Sequence, residues 1–191
     1  RGEIEGFSTL AMSIIMSAYF IGFLFASRIA PVMIRRVGHV RVFAALGSTI
    51  SAVILLYPTL TEPWAWTLGR VIFGFCFCGV YITAESWLND ASSNANRGKA
   101  LSLYMIVQMV GIITAQALVN VADPTGYILF VIPSVLVSLA FTPILLSTAP
   151  APAFGSIRSM GLAELLRISP LGAVGAFLMG GVFSALFGMA A

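Results

Sequence analysis

Six long apolar runs, separated by short polar segments, make up most of this chain. The runs cover about residues 7–28, 39–59, 64–88, 100–122, 126–146 and 171–191. A helix that crosses a bilayer needs roughly 20 predominantly apolar residues, and each run has that length. The pattern therefore predicts an all-α membrane protein, a helix bundle with six transmembrane helices in this chain.

Composition supports the same class of protein. The chain is 59% hydrophobic and only 9% charged, with a mean hydropathy of +1.00, whereas soluble domains carry about a quarter charged residues. The formal charge of +3 would indicate nucleic-acid binding in a soluble protein, but here the basic residues are concentrated in a few loops. We therefore expect a lipid bilayer as the surroundings and no nucleic-acid partner.

The basic turn at residues 34–41, between the first two runs, is the strongest orientation signal. It contains Arg35, Arg36, Gly38 and Arg41. Because basic residues accumulate in cytoplasmic loops, the turn is predicted to face the cytoplasm. We expect the preceding helix to break near Pro31, which removes a backbone donor, and His39 to be solvated in the turn.

The other loops alternate in charge in the same way. Loops predicted to be cytoplasmic hold Arg97, Lys99, Arg158 and Arg167, and loops predicted on the other side hold Glu3, Glu5, Glu62, Asp123 and a single base, Arg1. The absence of an initial Met and the apolar end at Ala191 further suggest a piece of a longer polypeptide.

Arg70 is the strongest exception to apolarity within the predicted spans. A charge at the centre of a membrane helix costs about 2.5–3.5 kcal/mol on insertion scales. Counted from Trp64, Arg70 lies about 9 Å below the outer surface. It either reaches the interface with its long stem or lies in the bundle interior to bind an anionic group or couple to a proton. We expect it to contact Gln116 or Asn120 on the next helix.

Amide side chains form one stripe along the fourth run, because Gln108, Gln116 and Asn120 are separated by multiples of four residues. Such a stripe either makes hydrogen bonds between helices or offers donors and acceptors to a polar solute. Gln108 lies nearest the centre of the bilayer, which favours solute contact there.

Glu85 is about 22 Å along its helix from Arg70, so the two cannot pair. We expect it at the inner mouth, near Arg97, in a gating or structural ion pair, with proton carriage as the alternative. Cys76 and Cys78 point to different helix faces, so neither a metal site nor another cofactor is expected. The chain also lacks paired carboxylates, a His near a nucleophile and a phosphate-binding loop, so it is not predicted to be an enzyme.

Three places in this sequence resemble the major facilitator superfamily, and in particular its YcaD-type bacterial subgroup. Residues 31–41 resemble the signature between helices two and three, although Arg35 stands where that signature has an acidic residue. Arg70, Gly74 and Gly79 resemble the fourth-helix Arg-x-x-x-Gly motif. The third place is the segment 85–89 followed by Arg97 and Gly98.

The resemblance implies a fragment that contains helices two to seven of twelve. Residues 1–147 would form an N-terminal bundle lacking its first helix, 148–169 a cytoplasmic linker with an interfacial helix, and 170–191 the first helix of a C-terminal half. It also implies two halves that rock about a midplane site, in a multi-pass protein of the bacterial cytoplasmic membrane.

The function predicted on these grounds is secondary active transport of a small solute by alternating access, with proton coupling as an option. Solute contacts are assigned to Gln108, Gln116 and Asn120, and coupling or gating to Arg70, Glu85 and Arg97. The alternative is a structural or assembly subunit of a larger membrane complex that keeps a transporter fold, an idea motivated by the altered turn signature and the glycine-rich helix faces.

Overall fold

The computed structural model describes residues 2, 4–119, 123, 126–146 and 167, and this part of the chain is helical. The helices are α1 (Thr9–Val37), α2 (His39–Leu56), α3 (Pro63–Ala91), α4 (Arg97–Val119) and α5 (Ile128–Leu146). All five are long and apolar enough to cross a membrane. The predicted helical membrane class is therefore confirmed. The sixth run at 171–191 and, apart from Arg167, the interfacial helix lie outside the described residues.

Two compact units divide the chain, Arg1–Phe154 and Gly155–Ala191. The five helices all belong to the first unit. Within it, the observed bounds of α2 to α5 differ from the predicted spans by only a few residues, because long apolar runs between polar loops determine helix ends locally.

Helix α1 is longer than predicted, and the expected break near Pro31 is wrong. The helix starts after the N-cap Ser8, whose side chain accepts from the Ala11 amide at 3.2 Å, and runs 29 residues to Val37. Ala30 and Ile34 on either side of Pro31 are fully buried. Packing on both sides holds the helix together, and membrane helices tolerate the carbonyl that proline leaves without a donor.

A single residue, Gly38, joins α1 to α2. Its φ of 87° is one that side chains with a Cβ rarely adopt, and its amide donates to the Ile34 carbonyl at 2.8 Å. The basic turn is therefore mostly helical: Arg35 and Arg36 lie in the last turn of α1 and Arg41 in the first turn of α2, all exposed.

Helices α1 and α3 run parallel, because residues later in α1 contact residues later in α3. The rings of Phe7 and Trp66 lie 5.1 Å apart, and Tyr19 lies 6.4 Å from both Phe73 and Phe77. The face of α1 in this contact is a buried stripe of small residues at four-residue spacing. Small side chains let helix backbones approach closely in lipid. The stripe consists of Ala18, Gly22, Ala26 and Ala30.

Helix α2 runs antiparallel to α3 and α5 and packs against both. Its buried residues Val42, Leu46 and Ile50 form the core together with Ile34 and Cys76. On its other side, Ser51 meets Ser134 of α5 at 2.7 Å between the hydroxyl oxygens. Helix α4 is peripheral by comparison: none of its described side chains is buried, and it touches only α3 substantially among the described helices.

Candidate functional site

Arg70 lies at the junction of α2 and α3, near the start of α3. Its guanidinium carbon is 5.9 Å from the centre of the Tyr57 ring, within the range of a cation–π contact. The Arg70 Nε atom is buried and has no hydrogen-bond partner in the described part of the chain. The aromatic face thus supplies part of the electrostatic compensation that a charge in a membrane helix requires.

Tyr57 is itself fixed by Trp66, which explains why it can serve as that platform. The indole Nε1 of Trp66 donates to the Tyr57 carbonyl at 3.1 Å, and the two rings meet edge to face at 5.4 Å. Burial raises the pKa of Tyr57, and the neighbouring Arg70 charge opposes that rise. The Tyr57 hydroxyl therefore stays protonated at neutral pH.

The expected contact between Arg70 and the amide stripe is not formed with Gln116. Gln116 is exposed on α4, and α4 packs only lightly on α3, whereas Tyr57 is brought next to Arg70 by the antiparallel pairing of α2 and α3. Asn120 lies outside the described residues, so its predicted role is unchanged by the structure.

His39 is buried at the opposite end of α3, and the expectation that it is solvated is wrong. It is 1% exposed, and its Nε2 lies 3.1 Å from Ser86 Oγ and 3.9 Å from Asp90 Oδ2. Because Gly38 turns the chain directly into α2, His39 becomes the first residue of that helix and faces the end of α3. The result is a polar link between α2 and α3.

An aromatic ladder leads along α3 to Glu85. Phe73, Phe77, Tyr81 and Glu85 are separated by four residues each and therefore share one helix face. The Phe73 and Phe77 rings stack at 5.8 Å, and Phe77 meets Tyr81 edge to face at 4.8 Å. This face lines an open groove against α1.

The groove has a volume of about 470 Å³. Its walls are mainly aromatic and apolar, with Ser27, Tyr81 and Glu85 as residues that carry polar groups. Its lining residues are Phe23 and Ser27 of α1 with Phe77, Cys78, Tyr81, Ile82 and Glu85 of α3.

Glu85 does not pair with Arg97, contrary to expectation. In the part of the chain that the structure describes, Glu85 has no ion-pair partner, and the Nε atom of Arg97 is buried without a hydrogen bond. Glu85 lines the groove between α1 and α3, whereas Arg97 opens the next helix.

Gln108 forms a hydrogen bond within its own helix. Its Nε2 donates to the Tyr104 hydroxyl, one turn earlier on α4, at 2.8 Å. Gln116 is about 12 Å farther along α4. The predicted site residues therefore do not converge: Glu85 lines the groove between α1 and α3, Arg70 lies against Tyr57, and Gln108 pairs with Tyr104 on α4.

The residues that sequence reasoning missed are mainly aromatic. The four-residue spacing from Phe73 to Glu85 was a readable signal for the ladder, whereas no local pattern indicates that Tyr57 covers Arg70. No three His, Cys, Asp or Glu side chains within the described ranges come together as a metal site.

Long apolar helices that pack through small residues and carry charges within their spans define a multi-pass helix bundle of the membrane. The Major Facilitator Superfamily matches residues 3–191, and the chain belongs to this superfamily of transporters.

Its relatives include bacterial proteins. It is 28% identical over 188 residues to the protein named "Uncharacterized MFS-type transporter YcaD" of Salmonella arizonae, covering 95% of this chain and 48% of that relative. A protein of the same name from Escherichia coli O45:K1 is 28% identical over 192 residues, covering 97% of this chain and 49% of the relative. The chain thus spans about half the length of the curated relatives it matches. No solved structure matches it significantly.

Proposed function

We propose that the full-length protein is a secondary active transporter that moves a small solute across the bacterial cytoplasmic membrane by alternating access, with proton coupling. The observation that carries this proposal is the superfamily match over residues 3–191. The charges within α3 support it, because ionisable residues in membrane helices are costly and usually functional.

Solute contact is assigned to the amide stripe, Gln108, Gln116 and Asn120. Support is strongest for Gln108, which donates a hydrogen bond to Tyr104 on the same helix. An amide and a phenol that already hydrogen-bond to each other can exchange that bond for one to a polar solute at little net cost.

Coupling or gating is assigned to Arg70, Glu85 and Arg97. Arg70 and Glu85 sit towards opposite ends of α3, and neither has a salt bridge among the described residues. A charged side chain that faces an aromatic ring or an open groove can bind a solute or exchange a proton more readily than one that already forms an ion pair. The proposal keeps the basic turn, Arg35, Arg36, Gly38 and Arg41, on the cytoplasmic side.

Uptake by the full-length protein in proteoliposomes, with a panel of labelled solutes and a pH gradient as the variable, tests the proposal. We expect Arg70→Ala and Gln108→Ala to lower initial uptake by about tenfold, the size of effect expected when one charge-assisted or polar solute contact is lost. Arg28→Ala removes an exposed arginine of α1 and is the matched control.

Two outcomes would contradict it. Unchanged uptake in both Arg70→Ala and Gln108→Ala would remove the site assignment. Absence of uptake for every solute, together with a stoichiometric partner that survives detergent, would support the assembly-subunit alternative instead.

A further inference from the structure

We propose that the groove between α1 and α3 binds a small organic cation with an aromatic or apolar body, and that Glu85 is its counter-charge. This inference names the solute class for the transporter proposed above and rests on that proposal. It is carried by the placement of one carboxylate, without an ion-pair partner among the described residues, at the end of an aromatic ladder in an open groove.

The walls of the groove suit the body of such a solute. Phe23 of α1 and Phe77 and Tyr81 of α3 contribute rings to the lining, and Phe73 and Tyr19 pack behind them. Aromatic faces attract cations electrostatically and apolar groups by contact. The volume of about 470 Å³ falls within the range of small-molecule sites.

The charge of the groove selects the sign of the solute. Glu85 is exposed, lies about 9 Å inside the end of α3 and has no ion-pair partner among the described residues. A carboxylate at this depth is costly unless a positive charge compensates it. A lipid tail would leave the charge uncompensated and an anion would be repelled, whereas a cation offsets it.

Polar groups at the same end can orient the solute. Tyr81, one turn before Glu85 on α3, is part of the lining and carries a hydroxyl group. Ser27 contributes less, because its hydroxyl already donates to the Leu24 carbonyl at 2.7 Å. The charged end of a cation with an attached hydrogen-bond donor would thus bind near Glu85, and its apolar body would lie along the aromatic ladder.

A matched pair of probes tests the inference on the purified full-length protein. Tetraphenylphosphonium and tetraphenylborate have nearly the same shape and opposite charge, and equilibrium binding of the labelled phosphonium is measured in detergent. We expect saturable binding that Glu85→Gln weakens by about tenfold or more, since an opposite charge in a partly desolvated site is lost. Glu85→Asp should retain most of the affinity, and tetraphenylborate should not compete.

Two further variants identify the cause of any loss of phosphonium binding. Glu62→Gln, at the exposed start of α3, removes one negative charge elsewhere and should leave binding unchanged. Phe77→Leu keeps apolar volume but removes a ring, and should weaken binding several-fold even if Glu85→Gln fails to fold. Native affinity in Glu85→Gln or in Phe77→Leu, or equal competition by tetraphenylborate, would overturn the inference.

The outcome is distinguishable from failure of the proposed transport. Binding in detergent needs no gradient, so phosphonium binding that depends on Glu85, without uptake of any solute in liposomes, would support this site and reject the transporter. If another solute is taken up, Glu85→Gln does not change that uptake and no phosphonium binds, the result would support the transporter and reject this site.

Discussion

Two helix contacts in this bundle are built in opposite ways. Between α1 and α3 the backbones themselves touch: a Cβ on Gly22 would fall on the Val71 carbonyl oxygen, and one on Gly74 would fall on the Tyr19 carbonyl oxygen. Between α2 and α5 the contact is made by side chains. There the hydroxyl of Ser51 lies 2.7 Å from that of Ser134 and 2.9 Å from that of Ser138, and Gly47 receives the Phe141 ring.

The difference follows from the solvent. In lipid there is little hydrophobic drive for helices to associate, so close packing and polar contacts must supply it. Where backbones touch, dispersion attraction acts along the whole helix face, and the main chain cannot move aside for an added atom. Where side chains make the contact, they can rotate to make room. The α1–α3 contact also forms the groove that Glu85 lines, so its rigidity keeps the lining residues in register.

The largest effect is expected at the backbone contact. Gly22→Ala and Gly74→Ala place a methyl group on a main-chain oxygen, so the two helices must separate. We expect each substitution to lower the free energy of unfolding by about 3 kcal/mol or more, at the upper end of overpacking. Yield of monodisperse full-length protein and unfolding in SDS titration measure this.

Gly111→Ala is the matched control for that prediction, because a Cβ at Gly111 on α4 meets nothing within 4 Å. The same substitution there should be neutral or should stabilise by up to about 1 kcal/mol through helix propensity. Equal stability of Gly22→Ala and Gly111→Ala would show that α1 and α3 do not touch through their backbones.

The range of the interactions involved decides how much of this fold can be predicted from the sequence. Helices α2 to α5 were predicted to within a few residues, because an apolar run between polar loops determines a span without reference to its neighbours. The continuation of α1 through Pro31 was missed because it depends on burial of Ala30 and Ile34 against other helices. The local sequence around Pro31 does not indicate that packing.

The candidate site shows the same division. Arg70 and Glu85 were found because a charge in an apolar run is visible in the sequence alone. Their surroundings were not, since the Tyr57 ring reaches Arg70 only through the antiparallel pairing of α2 and α3. His39 was misjudged for a related reason: a basic turn suggests solvent, but the one-residue joint at Gly38 directs this side chain into the bundle.

An intermediate effect is expected at Gly47. An added methyl group there would meet the Phe141 ring, which is a side chain and can move. We expect Gly47→Ala to lower the free energy of unfolding by about 1–2 kcal/mol. Phe141→Leu in the same chain should recover part of that loss, and a double-mutant cycle measures the coupling. A loss that Phe141→Leu leaves untouched would place the strain elsewhere.

The smallest effect is expected at the serine contact, although it contains the shortest hydrogen bonds between helices in the described part of the chain. Ser51→Ala removes the hydroxyl oxygen that Ser134 and Ser138 share, but the Ser134 hydroxyl can still donate to the main-chain carbonyl of residue 51 at 3.1 Å. Interhelical hydrogen bonds in membranes average about 0.6 kcal/mol, so we expect a loss of roughly 1 kcal/mol. Ser48→Ala should cost less, because that hydroxyl is exposed and donates to the Ala45 carbonyl of its own helix. If Ser51→Ala instead matched Gly22→Ala in SDS titration, hydrogen bonding would rival backbone packing here, and the contrast between the two contacts would not hold.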